Sequence, residues 1–524
     1  MLLTRALALS VLGSATSVGL ALLLVAPVAA ADAAGDSALV LEEGIDVGSI
    51  SRLDLDAVRL IIDQSDDVSA PVPARIRELS LEESVKTSLE QNLGLQIIEL
   101  SEAQSQEAIR ESKAKFHPSL EVGGAAKGTK INHDFRADES TDTQNAQALI
   151  RQEMPTGGRV GLGVGYQREF SDLFNDVVGD PTPGVNLQSE VEIAGLGIEI
   201  SQPLLRGGRT YVARRSILDA EYDNEISRAE LSAEILHVTA DTKAAYYQVV
   251  RALRQIEVIQ AALERDQQLV DASTALYDAG RVSKVDVLSA DISQASNRAR
   301  LASARADLEL ARNRLRQVIG LPITVQVDVT DRTIPFRPIH IQLQRWIRLA
   351  LDRRPEMMKV QSQIEKADLT LRVTKNAALP SLDVQGAFQP GFDWASYAWN
   401  AGVMFQIPLG NVGPRSQVRQ AEIQTHKMKR ELAQQRRLID LEVREVEIRL
   451  RENIERIKML TAQVESARSK GEIARGRFEM GLSNNLDITN ADEDLVRAES
   501  QLLEALVDYA TNIAQLEARI GGPI

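Results

Sequence analysis

The chain repeats itself at long range. The stretch Tyr277–Asp291 returns as Phe478–Asp492, and Gly280, Asp286 and Asp291 are answered by Gly481, Asp487 and Asp492 at a constant offset of 201. Gly320 and Gly521 keep that offset. Upstream, Pro118–Leu120 and Pro380–Leu382 share Pro-Ser-Leu at an offset of 262, and Pro203-Leu204 matches Pro408-Leu409 at 205. The difference, 262 − 205 = 57, is an insertion in the first copy between its two proline marks. Self-similarity on this scale predicts one elongated unit of two similar halves rather than a string of globular domains.

Each repeated stretch carries the signals of a helix that ends, turns and restarts. Gly280 and Gly481 suit the left-handed residue that closes a helix. Ser283 and Asn484 are N-caps, and Asp286 and Asp487 stand three residues on, placed to cap in return and to meet the helix dipole. Residues 210–279 contain neither Gly nor Pro, and Ile217, Ala220, Ile235, Val238, Ala245 and Val249 recur at helical spacing. A helix of that length spans about 100 Å and needs partner helices along it. Residues 281–319 read as its return, and 415–470 with 485–519 as the equivalent pair. Ser80 and Glu83 form a capping box for a helix to about Phe116, and a further helix covers about 340–379, interrupted at Pro355.

Between the proline marks the period changes to two. Leu120, Val122, Gly124 and Ala126 alternate outward, and Val160, Leu162, Val164 and Tyr166 alternate with Gly161, Gly163 and Gly165. No helix follows these glycines, which excludes a nucleotide loop and leaves a strand. Leu187–Ile200 is a strand whose apolar register shifts near Gly195, predicting a bulge there. Val325, Val327 and Val329 form a short strand; Leu382–Phe388 and Trp399–Ile407 form a hairpin, with Phe392, Trp394 and Tyr397 between them. In the insertion a short turn, Pro155–Gly158, separates 147–154 from 159–170, while 132–146 and 171–186 read as longer polar loops. Short turns on one side and long loops on the other are the habit of membrane barrels, which predicts six strands per copy. A four-strand wall, with the insertion folded outside it or in its lumen, remains open.

Composition narrows the function. A net charge of −14 argues against a nucleic-acid partner. With no cysteine, a disulfide framework, a thiolate nucleophile, a Cys-ligated metal and lipidation through an N-terminal cysteine are excluded. His117, His133, His237, His340 and His426 are scattered and make no His-x-x-x-His pair, so they read as ordinary structural or surface residues. The carboxylates of Arg436–Arg456 alternate with basic residues as on a solvated helix face. No active site, cofactor or metal is assigned, and a hydrolase using helix carboxylates has almost no support. Arg5, the apolar run Ala6–Val25 and the small residues Val28–Ala30 read as a secretory signal peptide. No other stretch is apolar enough for a spanning helix, and an exported chain without one enters a membrane only as a closed β-barrel.

The residues Leu81–Val85, His117–Leu120, Ser201–Gly207 and the run from Gly280 through Asp286 and Leu288 to Ile319–Pro322 together resemble the TolC family of outer-membrane efflux channels. The resemblance covers about 78–520. It implies a mixed, mainly α fold with an internal two-fold sequence repeat: long antiparallel helical hairpins forming a periplasmic α-barrel, and a transmembrane β-barrel assembled from a homotrimer, each chain of the family giving four strands to a twelve-stranded wall. The domains expected are a signal peptide (1–30), an N-terminal periplasmic segment (31–78), repeat 1 (79–322; membrane β segment 118–203, tip 277–286), an equatorial linker (323–338) and repeat 2 (339–524; membrane hairpin 380–408, tip 478–487).

The same resemblance implies the outer-membrane exit duct of a tripartite efflux or type I secretion system in a Gram-negative-type cell. Such a duct would be passive, driven by an inner-membrane pump through a periplasmic adaptor. The adaptor would dock at Ala279, Gly280, Arg281, Met480, Gly481 and Leu482, and Asp278, Glu479, Asp492 and Glu493 are the candidate periplasmic gate. Trp394, Tyr397 and Trp399 would sit at the interface with outer-membrane lipid. The alternative from another class is a structural coiled coil spanning the periplasm without a conduit.

Overall fold

The computed structural model describes residues 76–131, 138–174, 186–322, 324–391, 397–407, 409–480 and 482–523. The expected signal peptide and the acidic segment up to residue 75 lie outside these, as do His133, Phe392, Trp394, Pro408 and Gly481. In chain order the elements are β1 (Ile76–Leu79), α1 (Leu81–Gln91), α2 (Leu93–Ala114), β2 (Ser119–Ile131), β3 (Asp138–Glu153), β4 (Arg159–Phe174), β5 (Asn186–Pro203), the single turn α3 (Thr210–Ala213), α4 (Arg215–Asp278) and α5 (Lys284–Ile319). Then follow β6 (Gln326–Val329), α6 (Leu343–Arg353), α7 (Pro355–Ala377), β7 (Ser381–Pro390), β8 (Tyr397–Gln406), α8 (Val412–Glu479) and α9 (Asn485–Ile520).

The long helices run as far as their sequence lets them. α4 has 64 residues and α8 has 68, about 95–100 Å each at 1.5 Å per residue. Each turns back at a tip into a return helix of 36 residues, α5 or α9. The first helical stretch is not continuous as expected but breaks at Asn92, which leaves helical geometry at ψ 117°, caps the Leu95 amide at 3.0 Å and donates to the Val318 carbonyl at 2.7 Å. The close approach of Gly320 explains the break: a Cβ there would lie 2.2 Å from the Gln91 carbonyl oxygen. Pro355 separates α6 from α7 by occupying the first position of the new helix, where its missing N–H is not needed.

The base of each hairpin holds a large buried apolar cluster. In the first, Tyr246, Val249 and Val250 of α4 meet Leu315 and Ile319 of α5 over Leu79, Val327 and Val329 of the parallel pair β1–β6. The Tyr246 hydroxyl bonds the Asp331 carboxylate at 2.8 Å, and burial, reinforced by that bond, pushes the phenol up to about 12. In the second, Trp346, Ile347 and Ala350 of α6 close over Ile439, Val443, Val446 and Leu450 of α8 and Leu516 and Ile520 of α9. The Tyr509 hydroxyl there donates to the Arg337 carbonyl at 2.6 Å. Each of these buried aliphatic side chains contributes about 1.5–3 kcal/mol. Among the described residues no helix is long and apolar enough to cross a membrane.

The remaining strands form one antiparallel sheet in the order β2-β3-β4-β5-β7-β8. Three expectations fail here. The polar segments 132–146 and 171–186 are not all loop, because β3 starts at Asp138 and β4 runs on to Phe174; and β4 pairs with β5 without interruption from Arg159↔Ser201 to Phe174↔Asn186, so there is no bulge at Gly195. Val191 and Ile193 instead sit on the opposite face from Leu196 and Ile198, since adjacent parities of one unbroken strand face opposite ways.

Candidate functional site

Both helix tips close alike. In the first, the Gly280 amide donates to the Tyr277 carbonyl and the Arg281 amide to the Leu276 carbonyl, each at 2.8 Å, with Gly280 at φ +68°. In the second, the Leu482 amide reaches the Arg477 carbonyl at 2.8 Å. These are the bonds of a Schellman ending. The restart differs. Ser283 and Asp286 form the full capping box. Asn484 caps the Asp487 amide at 3.1 Å, but the Asp487 carboxylate accepts from the Ser483 hydroxyl at 2.5 Å and makes no return cap.

The two tips lie side by side. Phe478, Ala474, Ile488 and Ala491 of the second form one apolar cluster with Leu269 and Ala290 of the first. Asn485 pins them together, donating to the Ser273 hydroxyl at 2.6 Å and to the Asp286 carbonyl at 2.9 Å. Ala279, Gly280, Arg281, Met480 and Leu482 are all exposed around this cluster, and Met480 and Leu482 leave about two thirds of their surfaces open to solvent.

The candidate gate carboxylates separate. Asp278, Glu479 and Glu493 are exposed, Glu493 with the Arg300 guanidinium 4.0 Å away. Asp492 is buried: one of its oxygens accepts from Arg265 Nε at 3.0 Å and Arg475 Nη2 at 2.8 Å, tying α9 to α4 and α8. Asp492, expected among the gate carboxylates, thus has a structural role in joining three helices. Nothing local announced this, because Arg265 is 227 positions away in sequence. A second buried acid, Asp266, accepts from Asn297 at 2.6 Å and Ser293 at 3.0 Å across the α4–α5 seam. Burial raises its pKa, opposed by those two bonds.

At the far end from the tips, register assigns every sheet residue to a face. One row across all six strands reads Leu120, Ile150, Leu162, Ile198, Phe388, Trp399; another reads Val122, Ala148, Val164, Leu196. Tyr397 shares this apolar face and lies 6.2 Å from Phe388, ring centroid to centroid. The opposite face carries Ser119, Arg151, Gly161, Glu199, Ala387 and Asn400 in one row, with Gln147, Asn145 and Gln385 nearby. Arg151 reaches Glu121 at 2.7 Å and, over Gly161, Glu199 at 3.3 Å. Gly161 makes that crossing possible, since a Cβ there would lie 2.5 Å from Glu199 Cγ.

A sheet with one apolar face, joined to two long helical hairpins, points to a membrane-protein family. The model for "Outer membrane efflux protein" matches residues 185–321 and 346–522. The chain belongs to the outer membrane efflux protein family. It is 23% identical over 337 residues to the outer membrane protein TolC of Escherichia coli K12, covering 59% of this chain and 68% of that one. It is 26% identical over 363 residues to the outer membrane efflux protein BepC of Brucella suis biovar 1, covering 65% and 74%. The fold superposes on that of the outer-membrane channel OprN with a TM-score of 0.64 at 19% identity, over 87% of this chain and 94% of that one. Family membership makes this an outer-membrane transport protein.

Proposed function

We propose that three copies join their sheets edge to edge into one barrel through the outer membrane and pack their hairpins into a tunnel below it. The protein is then the passive exit duct of a tripartite efflux or type I secretion system, driven by an inner-membrane pump through a periplasmic adaptor. The observation that carries this is the sheet: one face apolar, the other polar, with unpaired edges at β2 and β8. Open edges do not persist in lipid, so the sheet must close on other copies. Apolar side chains left open along the helices, among them Leu441, Ile448 and Met459 of α8 and Leu93 and Ile97 of α2, give neighbouring copies something to bury. In this reading 1–30 is removed on export, 31–78 lies in the periplasm and 323–338 is an equatorial linker.

The tips are the adaptor site and the gate. Met480 and Leu482, with Ala279, Gly280, Arg281 and Gly481, offer the adaptor a small apolar landing; Asp278, Glu479 and Glu493 repeat three times around the axis as rings of negative charge, which favour cations in a narrow opening. Asp492 serves the gate as a tie between helices. Purified protein is expected to form heat-resistant trimers that conduct ions in planar bilayers; trimers without conductance would favour the structural coiled coil. Replacing both Met480 and Leu482 by Glu is expected to abolish export with trimer yield unchanged, and unimpaired export would remove the tips from docking. Glu479→Gln with Glu493→Gln is expected to lower cation preference, which unchanged reversal potentials would refute.

A further inference from the structure

The 57-residue insertion is not peripheral to the sheet. Its hairpin, β3 and β4, lies between β2 and β5 and is paired on both sides, from Ser119↔Arg151 to Ile131↔Glu139 and from Arg159↔Ser201 to Phe174↔Asn186. Ile150 and Leu162 carry the large apolar row without a step from Leu120 to Ile198. On both strands the uncharged stretch has the same length, Thr143–Ile150 between Asp142 and Arg151, and Val160–Gln167 between Arg159 and Arg168. These stretches approach the roughly 9–11 residues that a tilted strand needs to cross a bilayer. A hairpin folded into the lumen or over the outer mouth would meet water on both faces and would have no reason to keep an apolar row level with its neighbours.

We infer that β3 and β4 are wall, so that each copy contributes six strands and the outer-membrane segment is a wide aqueous vestibule. The inference rests on the trimeric duct proposed above. Three copies of six strands give eighteen, against twelve if the wall had four per copy. Barrel diameter grows about linearly with strand number, so the bore is about 1.5-fold wider, in the range where barrels hold an open aqueous channel. Its lining is polar and partly side-chain-free, with Gly161, Gly163, Gly165, Gly195 and Gly197 all on the inner face. Such a vestibule passes bulky, water-carried cargo, up to the width of a polypeptide chain. It leaves selection by size to the tips.

The chain has no native cysteine, which makes single-cysteine labelling clean. Gln385→Cys places a thiol on the polar face of β7, and size-graded maleimide polymers added outside intact cells measure the bore at that depth. Deleting Asp138–Phe174 leaves β2 antiparallel to β5 with matching faces, and is expected to lower the largest reactive polymer's diameter about 1.5-fold. An unchanged cut-off overturns the vestibule. No labelling by even the smallest reagent in the full-length chain would instead overturn the duct itself. If the deletion does not assemble, Gln147→Cys and Ala148→Cys in the full chain decide: labelling of the first alone supports a wall, and equal labelling of both refutes it.

Discussion

The two helical hairpins have one plan and opposite seams. In the first, Asp266 of α4 faces Gln294 and Asn297 of α5, all three buried and tied by hydrogen bonds, with Gln294 on Gln267 at 2.6 Å. At the offset of 201 the second hairpin has Ala467, Leu495 and Ala498, which form a closed apolar cluster with Val464. The contrast extends to the next turn, where Asp291 is exposed and its equivalent Asp492 is buried between two arginines. A net hydrogen bond is worth about 0.5–1.5 kcal/mol and can be exchanged for one to water, whereas opening an apolar seam exposes surface at about 25 cal/mol per Å². The repeat thus builds one hairpin that can part near its tip at little cost and one that resists parting.

The largest effect should fall on the apolar seam. Leu495→Ala is expected to destabilise the second hairpin by about 2–5 kcal/mol, and Gln294→Ala the first by only about 0.5–1.5 kcal/mol. Local opening free energies from hydrogen exchange along α9 and α5 measure both, and equal losses would break the comparison.

Next in size is Asn297→Ala, which leaves a buried carboxylate short of a donor. Hydrogen bonds to charged groups are worth about 1.5–3 kcal/mol, so a loss of that order is expected. Asp266→Ala together with Asn297→Ala gives two of the three seam positions the residues of the second hairpin, removes the buried carboxylate along with its donor, and should recover most of the loss. A double-mutant cycle with no coupling would show that the two residues do not act as a unit.

The smallest effect is a difference in sign with pH. The folded pKa of Asp266 is raised by burial above the ordinary carboxylate value, so the folded hairpin holds the proton better than the unfolded chain does. As pH falls from neutral through that raised value towards the ordinary one, the first seam gains stability; the gain is lost again as pH rises through the window. Arg265 and the Asp492 carboxylate also face this group, the first lowering and the second raising its pKa. In the second hairpin the Lys470 ammonium, 2.7 Å from Asp494, holds that carboxyl below the usual range. That pair contributes above the ordinary value and is lost as pH falls through the depressed one, with a small effect because both groups are half exposed. As pH falls, exchange corrected for intrinsic chemistry should first slow in α5, above the ordinary carboxylate value, and only below that value quicken in α9; Asp266→Asn should flatten only the first change.

Features governed by neighbours in sequence could be read from it. The Gly280 turn, the Ser283–Asp286 box and the long runs without Gly or Pro are local chemistry, and each lies where its spacing put it. Features settled by distant partners could not. Ile76–Leu79 has no strand pattern of its own and is extended because it pairs with β6. Asn92 breaks a helix because Gly320 arrives against it. The ties from Asn485 to Ser273 and from Asp492 to Arg265 join residues more than two hundred positions apart. The mistaken bulge has a different cause. Val191 and Ile193 stand beyond the apolar band, level with the charged pair of Arg168 and Glu192, where alternation no longer distinguishes two environments and so no longer reports register.

The unpaired edges of β2 and β8 also bear on inheritance. In the proposed trimer, a copy whose β8 cannot bond would still offer a sound β2, so it would be recruited by healthy copies and then leave the ring unclosed. In a cell making both forms, such a copy would spoil the assemblies it joins, and the defect would be dominant. A copy that never folds its sheet recruits nothing and would be recessive. Substituting proline for Ala401, in the edge strand that the proposed barrel pairs with the next copy, should therefore harm a cell that also carries the normal gene more than deleting the gene from one of two loci.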